Sequence, residues 1–189
     1  MSSDNAINLQ DAAFFSALAY ATPGESPEAW AFAKGGVYEQ AAQALLSPSG
    51  DWQELTQSLL NQFVNADGSV TYFDKSGDNA FRVFVNSSTH EVVFAFKGSS
   101  VNWNNWLSDA ETSDQGFTQY QAIQAAAEAL YTEMTQPGSQ YASYQFFADG
   151  HSLGGGMAQT FAAQNDISGF GQNSLPIAPN SQSSATFFP

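Results

Sequence analysis

Apolar residues recur at helical spacing over 11–21, where Phe14, Phe15, Leu18 and Ala19 share a face and Thr22-Pro23-Gly24 stops the run. A second helical stretch is predicted over 27–46. Asp51-Trp52-Gln53-Glu54 has the spacing of a capping box, and Trp52, Leu55, Leu59 and Phe63 repeat at helical intervals, which predicts a third helix. The pattern then changes to alternation. The runs 69–73, 81–85 and 91–96 are rich in β-branched and aromatic residues. Lys75-Ser76-Gly77-Asp78 and Asn86-Ser87-Ser88-Thr89 separate them with turn chemistry, which predicts an antiparallel meander. Past Gly98 comes a polar loop containing Trp103 and Trp106. It leads into a helix with Phe117, Tyr120, Ile123, Ala127, Leu130 and Met134 on one face, ended by Pro137-Gly138. The bounded apolar run 144–148 reads as a buried central strand, and 153–163 resumes helical composition. From Gly169 onward Gly, Asn, Ser and Pro dominate, with 175–178 as a candidate further strand; the last ten residues, NSQSSATFFP, carry little pattern. There is no internal repeat.

Composition narrows this picture. A length of 189 residues suits one domain with a substantial core, and 43% apolar with 14% aromatic residues supplies enough burial to offset chain entropy. The formal net charge is −14, from 18 acidic against 4 basic residues, so no basic patch can neutralise phosphates and nucleic acid is not an expected partner. The same charge opposes anionic membranes, leaving any transient contact with a lipid interface to exposed apolar side chains. With no cysteine and 2 histidines, disulfides, thiolate chemistry and a zinc site are not expected, and no cofactor or metal is implied. The N-terminus MSSDNAINLQDAAFF lacks a basic start and a cleavage site, and no run reaches the roughly 18 apolar residues of a membrane span. A soluble protein is expected, either cytoplasmic or exported by a signal-independent route; oligomeric state leaves no trace in the pattern.

The candidate chemistry lies where the run 144–148 meets the helix after it. Gly150-His151-Ser152-Leu153-Gly154 has the G-x-S-x-G form of a nucleophile elbow. Chance alone would produce that form roughly 0.06 times in a chain this long. Its weight therefore comes from context: a strand before it, a helix after it, and Gly154-Gly155-Gly156. A serine on a tight strand-to-helix turn adopts strained backbone angles, and the helix must pass close to the strand, which small neighbours permit. Such a turn sets the hydroxyl at a helix N-terminus, where free N–H groups favour a developing oxyanion. The plainer alternative is a glycine-rich turn.

Asp149-Gly150-His151-Ser152-Leu153-Gly154-Gly155-Gly156 resembles the serine motif of the class 3, fungal-type lipases of the α/β-hydrolase superfamily. Val92-Val93-Phe94-Ala95-Phe96-Lys97-Gly98-Ser99-Ser100, followed by Trp106-Leu107-Ser108-Asp109, resembles that family's oxyanion strand and adjoining lid segment, with Lys97 where arginine is usual. The resemblance implies an α/β fold with a mostly parallel central sheet flanked by helices, beside the antiparallel N-terminal meander. It implies Ser152 as nucleophile, the Leu153 N–H as one oxyanion donor, and Ser99 as the other through its N–H or its hydroxyl. The substrates implied are carboxylic esters of lipids, such as acylglycerols or phospholipids. For Trp103 and Trp106 two readings stand: packing back on the sheet, or forming a lid that covers the pocket in water.

A serine hydroxyl needs a base, usually a histidine oriented by a carboxylate, and in this fold the chain order is Ser, then the acid, then His. No histidine follows Ser152. His151, as the immediate neighbour, is expected to point elsewhere and to pack or hydrogen-bond behind the turn. His90 begins a strand whose other end leads to Ser99, roughly 25–30 Å away. Asp166, the one acidic residue after Ser152, follows the helix toward the opposite sheet edge. The resemblance spans about 11–180 and stops where the family continues. Residues 1–189 are thus expected to form a single lipase-like domain incomplete at its C-terminus, a poor catalyst alone. The competing reading is a non-catalytic binding module on a degenerate hydrolase fold.

Overall fold

The structure, a computed structural model, describes residues 7–20, 51–55, 72–73, 80–98, 115–174 and 187–188. The helix expected over 27–46, the candidate strand 175–178, Ser99 and the loop bearing Trp103 and Trp106 lie outside these residues. Asp51-Trp52-Gln53-Glu54, expected to cap a helix, instead forms β1 (Trp52–Glu54). Pairing with β3 decides the outcome: Trp52 and Leu55 are buried in clusters on opposite faces of the sheet while Gln53 is exposed, and Glu54 meets the Arg82 guanidinium, with Arg82 Nε donating to Glu54 Oε1 at 2.7 Å. Leu59 and Phe63 lie outside the described residues.

The meander forms as the alternation predicts. β2 (Tyr72–Phe73) and β1 each pair antiparallel with β3 (Ala80–Asn86), which pairs antiparallel with β4 (Glu91–Phe96). The β3–β4 turn is held by Asn86, whose Oδ1 accepts the N–H groups of Ser88 and Thr89 at 3.0 and 3.1 Å. Every residue of β4 is buried. β5 (Gln145–His151) lies parallel to β4, with Phe96 opposite Gly150. β6 (Ser168–Gln172) and β7 (Phe187–Phe188) continue in parallel, so the 7-stranded sheet runs β1-β3-β4-β5-β6-β7 with β2 beside β3. β6 occupies a stretch whose composition reads as loop. Gly169 and Gly171 leave no side-chain alternation there, yet Phe170 packs at a tilt against Phe147, ring centroids 6.3 Å apart. β7 falls within the C-terminal residues that showed no pattern.

Helices cover both faces. α1 (Leu9–Tyr20) starts earlier than residue 11 because Asn8 caps it: its Oδ1 accepts the N–H groups of Gln10 and Asp11, both at 2.9 Å. Phe15 of α1 packs edge-on against Trp52 at 4.7 Å and stacks on Phe84 at 4.9 Å, above Val93, Ala95 and Phe147. On the opposite face lie α2 (Gln115–Thr135) and α3 (Leu153–Asn165). Tyr120, Ile123, Ala127, Leu130 and Met134 line the buried side of α2, and Phe161 of α3 sits 4.8 Å from Phe94 and 5.4 Å from Phe96. The architecture is α/β: a mixed sheet flanked by helices, parallel from β4 to β7 and antiparallel in its N-terminal part.

Candidate active site

The parallel strands send their C-terminal ends to one sheet edge, and there the connection from β5 to α3 is Ser152 alone. Neither strand nor helix angles can make so abrupt a reversal. Ser152 adopts φ 57° and ψ −122°, a conformation that costs a non-glycine residue about 1–3 kcal/mol and persists only where its surroundings impose it. Its N–H donates to the Gln172 carbonyl at 2.9 Å, and its own carbonyl accepts the Gly156 N–H at 3.3 Å. Serine is a favoured helix cap, but this hydroxyl makes no capping bond to α3. The residue is buried, 6% exposed.

The neighbouring glycines are required sterically. A Cβ on Gly150 would overlap the Gly154 carbonyl, and a Cβ on Gly154 would overlap the Phe96 carbonyl. The second overlap places the first turn of α3 against the end of β4. With Phe96 opposite Gly150 in the parallel register, Lys97 and Gly98 leave β4 beside the Ser152 turn. Both are buried, Lys97 completely. The next residue, Ser99, is outside the described residues. Leu153 opens α3 and is buried; its N–H belongs to the first turn, whose amides have no partner within the helix and carry the positive end of the dipole.

The histidines and the late carboxylate fall away from this edge or behind it. His151 is half-buried on β5, and burial lowers its pKa below the ordinary imidazole value, so its neutral form is favoured. Strand alternation puts residues 147, 149 and 151 on the α1 side. His90, exposed in the β3–β4 turn at φ 60°, lies at the other end of β4 with its ring edge-on to Tyr144 at 4.8 Å. Asp166 caps the far end of α3 in a left-handed conformation; a helix of 13 residues is about 20 Å long.

Sequence reasoning passed over a polar network directly behind the turn. Asp149 is fully buried; Ser16 Oγ donates to its Oδ2 at 2.8 Å and Gln172 Nε2 to its Oδ1 at 3.2 Å. Burial drives this carboxyl well above the ordinary carboxylate range, against the opposing pull of the donors from Ser16, Gly150 and Gln172. The available signal was an acidic residue inside the apolar run QFFADGH. Its partner Ser16 lies too far along the chain for spacing to reveal. Among the described residues no group of metal-ligating side chains converges, and no described helix is long and apolar enough to cross a membrane.

Sheet order, helix placement and the turn at the strand edge together define a lipase-like α/β-hydrolase fold. Solved structures of that fold include lipase II from Rhizopus niveus, with TM-score 0.57, 16% identity, and coverage of 87% of this chain and 60% of that one. A triacylglycerol lipase from Penicillium expansum gives TM-score 0.57 and 16% identity, covering 95% of this chain and 66% of that one. Rhizomucor miehei lipase, in its propeptide complex, gives TM-score 0.55 and 16% identity, with 92% and 61% coverage. At these identities the likeness is one of fold, and the chain spans 60% to 66% of the length of these lipases. No family model matches the sequence, and no curated protein sequence does.

Proposed function

We propose that the chain is the nucleophile-bearing part of a serine hydrolase acting on carboxylic esters of lipids, with Ser152 in an elbow formed by Gly150, His151 and Gly154. The observation that carries this reading is the positive φ of Ser152 at a single-residue strand-to-helix connection, beside the end of β4. In the reaction Ser152 Oγ bonds to the ester carbonyl carbon and passes its proton to a base. The carbonyl oxygen becomes an oxyanion held by the Leu153 N–H and by Ser99, the residue after Gly98 in the sequence. Collapse expels the alcohol, which takes up the proton, and water then releases the acid from the acyl-enzyme. Substrates of this chemistry are acylglycerols or phospholipids; Trp103 and Trp106 act as lid residues that uncover the buried serine at a lipid interface.

No histidine follows Ser152 in the sequence, and His90 and Asp166 sit at the opposite sheet edge. β7 runs parallel to β6 with Phe188 opposite Phe170, two residues before Gln172, so its direction is toward the edge of Ser152, where a carboxylate and a histidine supplied in an added segment would have to act. Until such groups are supplied, turnover rests on the oxyanion hole and binding alone. The burial of Ser152, 6% exposed, favours one second reading, a binding module that holds an ester or lipid without cleaving it. Hydrolysis of a p-nitrophenyl acyl ester tests the choice, measured for this chain and for one extended past Pro189 by a segment carrying Asp and His. Turnover that appears with the extension and vanishes in Ser152→Ala supports the hydrolase; an extended, folded chain that binds acyl esters at Ser152 without cleaving them supports the module.

A further inference from the structure

We propose that Asp149 is a positioning residue for the Ser152 turn, acting through Gln172; that the turn presents a nucleophile rests on the hydrolase reading above. The geometry forms a closed ring. Asp149 precedes the turn on β5, and its Oδ1 accepts Gln172 Nε2–H at 3.2 Å from β6. Gln172 in turn gives its backbone carbonyl to the Ser152 N–H at 2.9 Å. Gln172 is therefore held at its side chain and at its main chain, beside His151 in the β5–β6 register. Ser152 finds its acceptor in a fixed place. The other carboxylate oxygen, Oδ2, takes the Ser16 hydroxyl at 2.8 Å and so braces the ring against α1.

A strained backbone conformation needs surroundings that over-determine it. An apolar side chain at 149 would fill the same space without the desolvation of a carboxylate, so this buried acid earns its place only through the bonds it directs. Those bonds lead to the two elements that flank the turn, α1 and β6. A role confined to anchoring α1 would run through Ser16 and leave Gln172 idle. The two arms can be cut separately.

Residue-resolved amide hydrogen exchange makes that cut visible. In Gln172→Ala and Asp149→Ala the Ser152 N–H is expected to exchange about tenfold faster, while the Leu130 and Met134 amides of α2 stay within about twofold of wild type. Asp149→Asn restores slow exchange, and Ser16→Ala speeds the amides of α1 without touching Ser152. On an acyl ester with the base supplied, the Gln172→Ala chain loses about tenfold in kcat at unchanged KM, as a misplaced reacting atom does. The inference is overturned if Ser152 exchange in either alanine variant accelerates no more than that of Leu130. Should Asp149→Ala fail to fold, the half-buried Gln172 carries the test. If wild type shows no Ser152-dependent turnover the hydrolase reading fails, while the exchange comparison still decides whether Asp149 holds the turn.

Discussion

The two faces of the sheet are built from different chemistry. Toward α2 and α3 the buried side chains next to the sheet are mostly aromatic and aliphatic (Phe81, Phe94, Phe96, Phe146, Met157 and Phe161), and the polar contacts lie between the helices, where Tyr120 Oη donates to Glu128 Oε1 at 2.7 Å and Asn165 Nδ2 to the same oxygen at 3.0 Å. Toward α1 the apolar cluster around Phe15 is threaded with directed polar contacts. Asp149 meets Ser16, Arg82 reaches the Leu18 carbonyl at 2.6 Å, and Glu91 Oε1 accepts the Ile7 N–H at 2.9 Å where the chain enters α1. Burial raises the Glu91 carboxyl above its ordinary value, as it does that of Asp149, while the Thr89 hydroxyl and the Ile7 N–H pull it back. Non-directional packing stabilises without fixing orientation, whereas hydrogen bonds to buried carboxylates fix orientation at a desolvation cost. The comparison points to a division of labour: the apolar face against α2 and α3 stabilises mainly through packing, whereas the face against α1 adds directed bonds to buried carboxyls, one of them next to the Ser152 turn.

That division can be broken from either side. The largest effect belongs to Phe161, which touches Phe94, Phe96, Tyr120 and Tyr131. Phe161→Ala should lose about 3–5 kcal/mol, read from chemical denaturation, because the cavity cannot collapse between α3 and the sheet. Ser16→Ala on the other face should lose about 1–3 kcal/mol, since it removes one hydrogen-bond partner of a fully buried carboxyl.

The sign of the pH dependence sharpens the same contrast. The Asp149 carboxyl is raised in the folded state, so the native chain holds a proton that the unfolded chain releases near pH 4, roughly. Its contribution is full below that pH and is lost as pH rises toward the folded value. Asp149→Asn should flatten this slope and gain on wild type as pH increases; Phe161→Ala should shift the whole curve without altering the slope. The smallest effect is at the exposed end of α1, where Asn8→Ala removes the cap and costs about 1 kcal/mol. Thermal melts at matched pH would resolve it.

Much of this was legible because it is local. The spacing of Tyr120, Ile123, Ala127, Leu130 and Met134 marks α2, the β-rich run 91–96 between turn residues marks β4, and the motif residues Gly150 to Gly154 are contiguous. Two readings failed for a shared reason. At 51–54 the short run has a cap-like spacing and no clear alternation, and at 168–172 glycines erase the alternation that marks a strand. In both places pairing with a distant strand, β3 or β5, supplied what local pattern lacked. The Asp149 network was hidden because its members come from α1, β5 and β6, and only the folded sheet brings Ser16 and Gln172 to one carboxylate.

The most direct measurement is mass-spectrometric mapping of the adduct left by a fluorophosphonate on the folded chain, with and without free imidazole as a substitute base. The account predicts a single phosphonate on the peptide containing Ser152, formed faster with imidazole and absent from Ser152→Ala. A folded chain that takes no label at Ser152 under either condition, or labels other serines at the same rate, would contradict it.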